Sequence, residues 1–234
     1  MSQTILITGA TGTIGSAMVQ LLSEENHTLI LTGRNAGKLL EIANEYGIDR
    51  ANLFEMDITS DQQVTAAISN IILKFGVPDV LINATGIGVL KPIESLSIHD
   101  FNQVLDVNLT GAFRLLKAVV PAMKERKTGL IIHLPGVLGK TPMAGAMAYA
   151  ASKYGLNGMI KSLREELKRT QVKIVQLFVG GVDSHFWDNI DLKVQREKFL
   201  TAFEIAKAVK FLLEQPAEGV ISEMVIQPLN HQAI

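Results

Sequence analysis

Short runs of Val, Ile, Leu and Thr alternate along this chain with segments whose apolar residues recur at three- and four-residue spacing. That alternation limits the fold more than any other feature. Seven such runs stand at 3–8, 28–32, 52–56, 79–82, 130–134, 172–178 and 224–226. Several are apolar almost without interruption, as strands buried on both faces are, and parallel strands need long crossovers to return the chain. The intervening segments supply them. In 13–24, Ile14, Ala17, Met18, Leu21 and Leu22 share one helical face; in 60–75, Val64, Ala67, Ile68, Ile71, Ile72 and Phe75 repeat the period. Ser60 with Gln63, and Thr201 with Glu204, have capping-box spacing, and Gly76 and Pro216 stand as stops. Longer helices are predicted over 97–127, kinked or split by Pro121, and over 143–170. The pattern predicts an α/β protein on one doubly wound parallel sheet of about seven strands with helices on both faces. At 234 residues the chain suits a single domain spanning 1–234, since single cores grow to roughly 250 residues.

Composition removes several classes of function. Lys and Arg number 22 against 23 Asp and Glu, a net charge of −1, which lacks the basic excess that nucleic-acid binding needs. With Cys 0 there is no disulfide framework, thiolate chemistry or Cys-ligated zinc. His27, His99, His133, His185 and His231 are scattered without ligand spacing, so no metal site is expected. The most apolar long window, 75–90, is broken by Pro78, Asp79, Asn83 and glycines, which argues against a membrane span. Only neutral His27 precedes Arg34 among the basic residue types, so no targeting leader is expected and a cytoplasmic location is the expectation.

The first strand runs directly into Thr8-Gly9-Ala10-Thr11-Gly12-Thr13-Ile14-Gly15 and then into an amphipathic helix. Glycines there allow a tight turn and bring backbone N–H groups at a helix N-terminus close to a pyrophosphate. In this context the turn predicts a Rossmann-type dinucleotide site. The second strand ends in Gly33-Arg34, where such folds place the residue that reads the ribose. A carboxylate there would accept the 2′-hydroxyl of NAD; the forked guanidinium of Arg34 suits a 2′-phosphate, so NADP(H) is the expected cofactor. One long irregular stretch, 180–199, reads as a binding lid, with Phe186 and Trp187 either covering a substrate or anchoring the loop.

Tyr149 and Lys153 stand four apart on one predicted helix face. A free phenol titrates near ~10, and a neighbouring cation makes it a usable acid or base. With these residues the sequence resembles the short-chain dehydrogenase/reductase family over essentially its whole length. The resemblance implies a strand order of 3-2-1-4-5-6-7 and assigns Gly9, Thr11, Thr13, Ile14 and Gly15 to the cofactor turn. Asp57 and Ile58 match the pair beside the adenine; Asn83-Ala84-Thr85-Gly86 resembles the family's Asn-Asn-Ala-Gly segment. Asn108 matches the helix asparagine that holds a water in the proton relay. Tyr149 becomes the proton donor, and Lys153 the residue that binds the nicotinamide ribose and lowers the Tyr pKa. Gly180-Gly181-Val182-Asp183-Ser184 resembles the segment touching the carboxamide. A homodimer or homotetramer formed through 97–127 and 143–170 is also implied.

The chain departs from the family at four places. Gly136 stands where the family carries its catalytic Ser, so no side-chain donor polarises a carbonyl there. Thr13 occupies a glycine position of the turn, Val179 replaces a Pro, and the second Asn of Asn-Asn-Ala-Gly is absent. Thr85 or Thr141 is the candidate substitute hydroxyl. Three readings follow: an NADP(H)-dependent carbonyl reductase or alcohol dehydrogenase acting on a small carbonyl or alcohol substrate; an NADP-binding protein without effective turnover; and an acyl-carrier reductase. The third would need a basic patch near Lys193, Arg196 and Lys198, where Asp188, Asp191 and Glu197 are interleaved.

Overall fold

A computed structural model describes residues 2–188, 190, 194–216, 218–230 and 232. The apolar runs form β1 (Thr4–Thr8), β2 (Thr28–Gly33), β3 (Leu53–Glu55), β4 (Val80–Asn83), β5 (Thr128–His133), β6 (Gln171–Val179) and β7 (Glu223–Ile226). They make a 7-stranded sheet in the order β3-β2-β1-β4-β5-β6-β7, with every neighbouring pair parallel. This is the Rossmann-like α/β architecture and strand order expected.

Helices α1 (Thr13–Ser23), α2 (Ala36–Glu45), α3 (Asp61–Phe75), α4 (Ile98–Leu105), α5 (Gly111–Arg126), α6 (Met147–Leu167) and α7 (Ala202–Leu213) cover both faces. Side chains of a strand alternate between faces, and β1 divides accordingly. Ile5 and Ile7 join Met18, Leu22, Ile205 and Val209 of α1 and α7 on one side. Leu6 joins Ile68, Leu115, Val119 and Ile160 of α3, α5 and α6 on the other.

Three elements differ from the expectation. Helix α2 was not read from the sequence: only Leu39 and Ala43 of its ten residues are buried, a faint stripe, and Asn35 caps it by accepting from Lys38 N at 2.9 Å. The 97–127 helix is interrupted by a π-helical turn at Asp106–Thr110 rather than at Pro121. Pro121 is exposed, and so is Lys117, whose carbonyl the proline leaves unpaired, so water can take that carbonyl. Helix α6 starts at Met147 rather than 143, because Gly145 turns the chain at φ +76° and its carbonyl accepts from Lys91 N at 2.7 Å.

The carboxyl ends of the strands meet on one edge. Between β1 and β4 the crossovers run in opposite directions, which leaves the crevice where open α/β sheets take their ligands.

Candidate active site

A cleft opens at that crevice. Gly9, Thr11 and Gly12 of the first turn line it, with Gly33 at the end of β2 and Arg34 after it, Asp57 and Ile58 after β3, and Ala84 to Ile87 after β4. Gly9 turns at φ +73°, and a Cβ on it would lie 2.9 Å from the Ala84 carbonyl carbon. A Cβ on Gly15 would lie 2.1 Å from the Gly9 carbonyl oxygen, so these two positions admit only glycine. Gly12 caps α1 without a side-chain hydrogen bond, and the first-turn residues Thr13, Ile14 and Gly15 follow it. Their N–H groups precede the first intrahelical bond, Ser16 N to Gly12 O at 2.8 Å, and are available to an anion.

Arg34 is exposed at the lip and makes no hydrogen bond or ion pair among the described residues. Asp57 lies opposite. Burial opposes its charge, but two bonds from Thr59 (N at 2.9 Å, Oγ1 at 2.8 Å), with Arg34 and Arg114, hold its carboxyl below the usual range. Gln63 does not complete the expected capping box with Ser60; its Oε1 accepts from Asp57 N at 2.9 Å and fixes this loop. A Cβ on Gly86 would lie 3.4 Å from both Asn108 Oδ1 and Lys153 Nζ, so its absence leaves the cleft open toward the ammonium. Uncapped N–H groups, a free guanidinium and this cradle suit an extended anionic ligand.

Two asparagines brace the floor. Asn83 Oδ1 accepts from Thr8 Oγ1 at 2.8 Å and Thr85 N at 3.1 Å, while its Nδ2 meets His133 Nδ1 at 3.3 Å. The Thr85 hydroxyl donates to Thr8 Oγ1 at 3.3 Å and is therefore turned to the strand ends. Asn108 sits in the π turn and grips Ile87 from both sides: its Oδ1 accepts from Ile87 N at 2.8 Å and its Nδ2 donates to Ile87 O at 2.9 Å. The same Nδ2 reaches Ser152 Oγ at 3.0 Å, and Ser152 donates to the Tyr149 carbonyl at 2.7 Å. Helix α6 is thus tied to the β4 loop through Asn108.

Tyr149 and Lys153 are together as the spacing predicted, with the ammonium 5.3 Å from the ring centroid. Lys153 is 3% exposed; its Nζ donates to Leu134 O at 3.4 Å, and burial pushes its pKa down to about 8. Burial pushes the Tyr149 phenol up from its ordinary value, so in this structure desolvation, not the neighbouring cation, sets its direction. Gly136 lies beneath the phenol at φ +74°, ψ 159°. A Cβ there would be 3.3 Å from the Tyr149 hydroxyl. The missing serine is therefore a backbone matter as well: this region of φ/ψ is essentially open to glycine alone.

A family model described as short chain dehydrogenase matches residues 3–195. The chain belongs to the short-chain dehydrogenase family. An uncharacterized oxidoreductase of Staphylococcus epidermidis is 31% identical over 224 residues, covering 96% of each chain. Among solved structures, an alcohol dehydrogenase from the archaeon Thermococcus sibiricus, complexed with 5-hydroxy-NADP, aligns with a TM-score of 0.88 at 27% identity over 99% of both chains. A metagenomic short-chain oxidoreductase in complex with NADP aligns at 0.82 with 28% identity over 97% of both.

In this short-chain dehydrogenase the segment after β6 folds over Tyr149. Val182 bridges Leu200, and its carbonyl accepts from Trp187 Nε1 at 2.9 Å. Phe186 meets the Tyr149 ring edge-on at 5.4 Å between centroids. Sequence reasoning left Phe186 undecided and missed Ser152 altogether, although Ser152 sits between Tyr149 and Lys153 in the sequence. Arg196 is spent on Asp183 (2.6 Å) and Asp188 (2.8 Å), and Lys198 on Gln195 (2.7 Å). Asp191 and Lys193 lie outside the described residues. No metal-binding cluster occurs among the described residues, and no helix among them is long and apolar enough to cross a membrane.

Proposed function

We propose that this chain is an NADP(H)-dependent carbonyl reductase or alcohol dehydrogenase. The observation that carries the reading is the Tyr149–Lys153 pair, whose buried ammonium lies just past Gly86 of a cleft with the unpaired Arg34 at its lip. Arg34 would hold the 2′-phosphate, Gly9, Thr11, Thr13, Ile14 and Gly15 the pyrophosphate, and Asp57 with Ile58 the adenine. Asn83 and Ala84 would shape the floor, and Val182 would face the carboxamide. NADP-type complexes among the similar structures support this choice.

When bound, the reduced nicotinamide supplies a hydride to the carbonyl carbon. Tyr149 gives its proton to the carbonyl oxygen. Lys153 binds the ribose and, when charged, stabilises the phenolate left behind. Asn108 keeps α6 and the β4 loop in register and stands where the relay water is held. The segment 180–199 serves as the lid over a small carbonyl or alcohol substrate. The protein acts as one domain over 1–234, as a homodimer or homotetramer, in the cytoplasm, without nucleic-acid or membrane partners. Oxidation of NADPH with a panel of ketones and aldehydes tests the reading. Turnover that disappears in Tyr149→Phe supports it, and no turnover despite NADPH binding refutes it.

A second reading, an NADP-binding protein without effective turnover, draws on one observation. Gly136 sits in a conformation closed to serine, so the usual second donor cannot be present.

A further inference from the structure

Phe186 touches two things at once. Its ring meets Tyr149 edge-on, 5.4 Å between centroids at 65°, and it lies so close over Gly88 that a Cβ there would be 2.0 Å from its Cε2. Behind it Trp187 stands at 5.1 Å, and Phe199 lies 5.2 Å beyond Trp187. The indole N–H is occupied by the Val182 carbonyl at 2.9 Å, so the second layer of this wall presents carbon. Phe186 remains half-buried, which leaves part of its ring free for another apolar surface.

Four described charged or ionisable side chains of the same segment, Asp183, His185, Asp188 and Arg196, are turned to one another. Arg196 donates to Asp183 (2.6 Å), Asp188 (2.8 Å) and the Ser184 carbonyl (3.0 Å), and His185 Nδ1 lies 2.7 Å from Asp188. Lys153, the cation beside Tyr149, is buried on the Gly86 side. Among the described residues, an anionic group entering beside the phenol would lose its water without gaining a partner. On the other side Gly136 contributes no side chain under the hydroxyl. Tyr149 is therefore flanked by bare backbone at Gly136, beside its hydroxyl, and by the Phe186 wall against its ring.

We infer that Phe186 is a specificity-determining residue, and that the substrate is an uncharged ketone or aldehyde carrying a flat aryl group that lies against it. The inference rests on the reductase reading and names its substrate class. Trp187 and Phe199 anchor the segment, and Phe186 is the face it offers to substrate.

Acetophenone, cyclohexyl methyl ketone and phenylglyoxylate separate the elements of this inference: aryl and neutral, apolar but not flat, aryl but anionic. In the wild-type protein with NADPH, kcat/KM for acetophenone should exceed that for cyclohexyl methyl ketone by about two- to tenfold, the range of an aromatic pair beyond area alone. It should exceed that for phenylglyoxylate by about a hundredfold. Phe186→Ala should remove the preference for acetophenone over cyclohexyl methyl ketone, through KM more than kcat, and Phe186→Tyr should retain it. An unchanged preference in Phe186→Ala, or phenylglyoxylate as the best of the three, overturns the inference. A binding measurement keeps the test independent of turnover. Trp187 is the only tryptophan of the chain and touches Phe186, so its fluorescence reports the wall in the NADP⁺-loaded protein. Acetophenone should perturb that signal saturably and phenylglyoxylate should not; the reverse overturns the inference. Saturable acetophenone binding without any turnover would instead sink only the reductase reading.

Discussion

Replacing Lys153 by Met should stabilise the fold while disabling the site. The lysine is 3% exposed, and the hydrogen bond it makes is long, to the Leu134 carbonyl at 3.4 Å. A buried ammonium without an anionic partner is a cost to folding, and the fall of its pKa from 10.5 to about 8 measures that cost. At about 1.36 kcal/mol per pH unit the difference is about 3 kcal/mol. Methionine has similar length and no charge, so Lys153→Met keeps most of the packing and removes the penalty. For a chain of this size that is a rise in Tm of roughly 6–10 °C. The pH dependence identifies the cause. Below pH 8 the lysine is charged in both states and the penalty is complete. Between about 8 and 10.5 the folded state has released the proton and the unfolded state has not, so wild-type stability rises with pH. Above 10.5 both are neutral and the advantage of the variant is gone. Urea unfolding of both proteins at pH 7 and pH 10, without cofactor, reads this directly, and carbonyl reduction by the variant should fall by about a hundredfold or more. A variant less stable at pH 7, or a gap that does not shrink by pH 10, refutes the reasoning.

Other outcomes follow from the same structure. Gly136→Ser should lower stability by about 1–3 kcal/mol without raising kcat, because φ +74° with ψ 159° strains any side chain; equal Tm values would contradict this. Arg34→Asp should reverse a preference for NADPH over NADH worth about 1–3 kcal/mol, measured as dissociation constants; equal binding of the two cofactors by the unmutated protein counts against it. His133 is held neutral, its pKa pushed down to about 3 by burial and then by Lys153. Since the unfolded imidazole takes its proton near ~6.5, stability should fall by up to about 1.4 kcal/mol per pH unit as pH drops from 6.5 toward 3, and His133→Asn should flatten that slope in urea titrations. Ile98, Phe113, Met147 and Tyr154, all on α4, α5 and α6, are exposed apolar side chains on the helices expected to form the homo-oligomer. Light scattering should give a multiple of the 25.5 kDa chain mass, and Phe113→Glu should reduce it.

What could be read from the sequence was local. The strand-to-helix turn at Gly9–Gly15 and the Tyr149–Lys153 pair are both set by spacing within one element, where the chain's own geometry decides which residues meet. The strand order came from the family resemblance, and alternating β and α units with right-handed crossovers leave few alternatives to it. What escaped depends on partners distant in sequence. Nothing around Asn108 marks a π turn: no proline or glycine interrupts 106–110, and the widened turn accompanies a grip on the Ile87 backbone. Phe186 meets Tyr149 because the segment after β6 folds back over α6, a contact no periodicity encodes. Helix α2 had a readable face in Leu39, Ile42 and Ala43 behind Asn35, and it was missed because a two-residue buried stripe barely exceeds background. At Gly136 the sequence gives the absent hydroxyl but not the sign of φ.

That sign changes what the substitution means. A serine lost by simple drift would leave a backbone able to take it back, and a donor of this kind is typically worth about 10²–10³ in rate, or ~2.7–4 kcal/mol. Here the chain at Gly136 has moved into a region that serine cannot occupy cheaply, directly beneath the Tyr149 hydroxyl. In the proposed reductase the phenol is then the one side-chain donor of the pair left to meet the carbonyl oxygen. Negative charge must therefore build on the oxygen with less help than a second donor would give. An aryl group conjugated to the carbonyl does not supply that help, but electron-withdrawing substituents on it do. In that proposed reaction the site should turn over electron-poor aryl carbonyls faster than unactivated ones. Its rate deficit is largest where the substrate itself does least to stabilise the developing alkoxide.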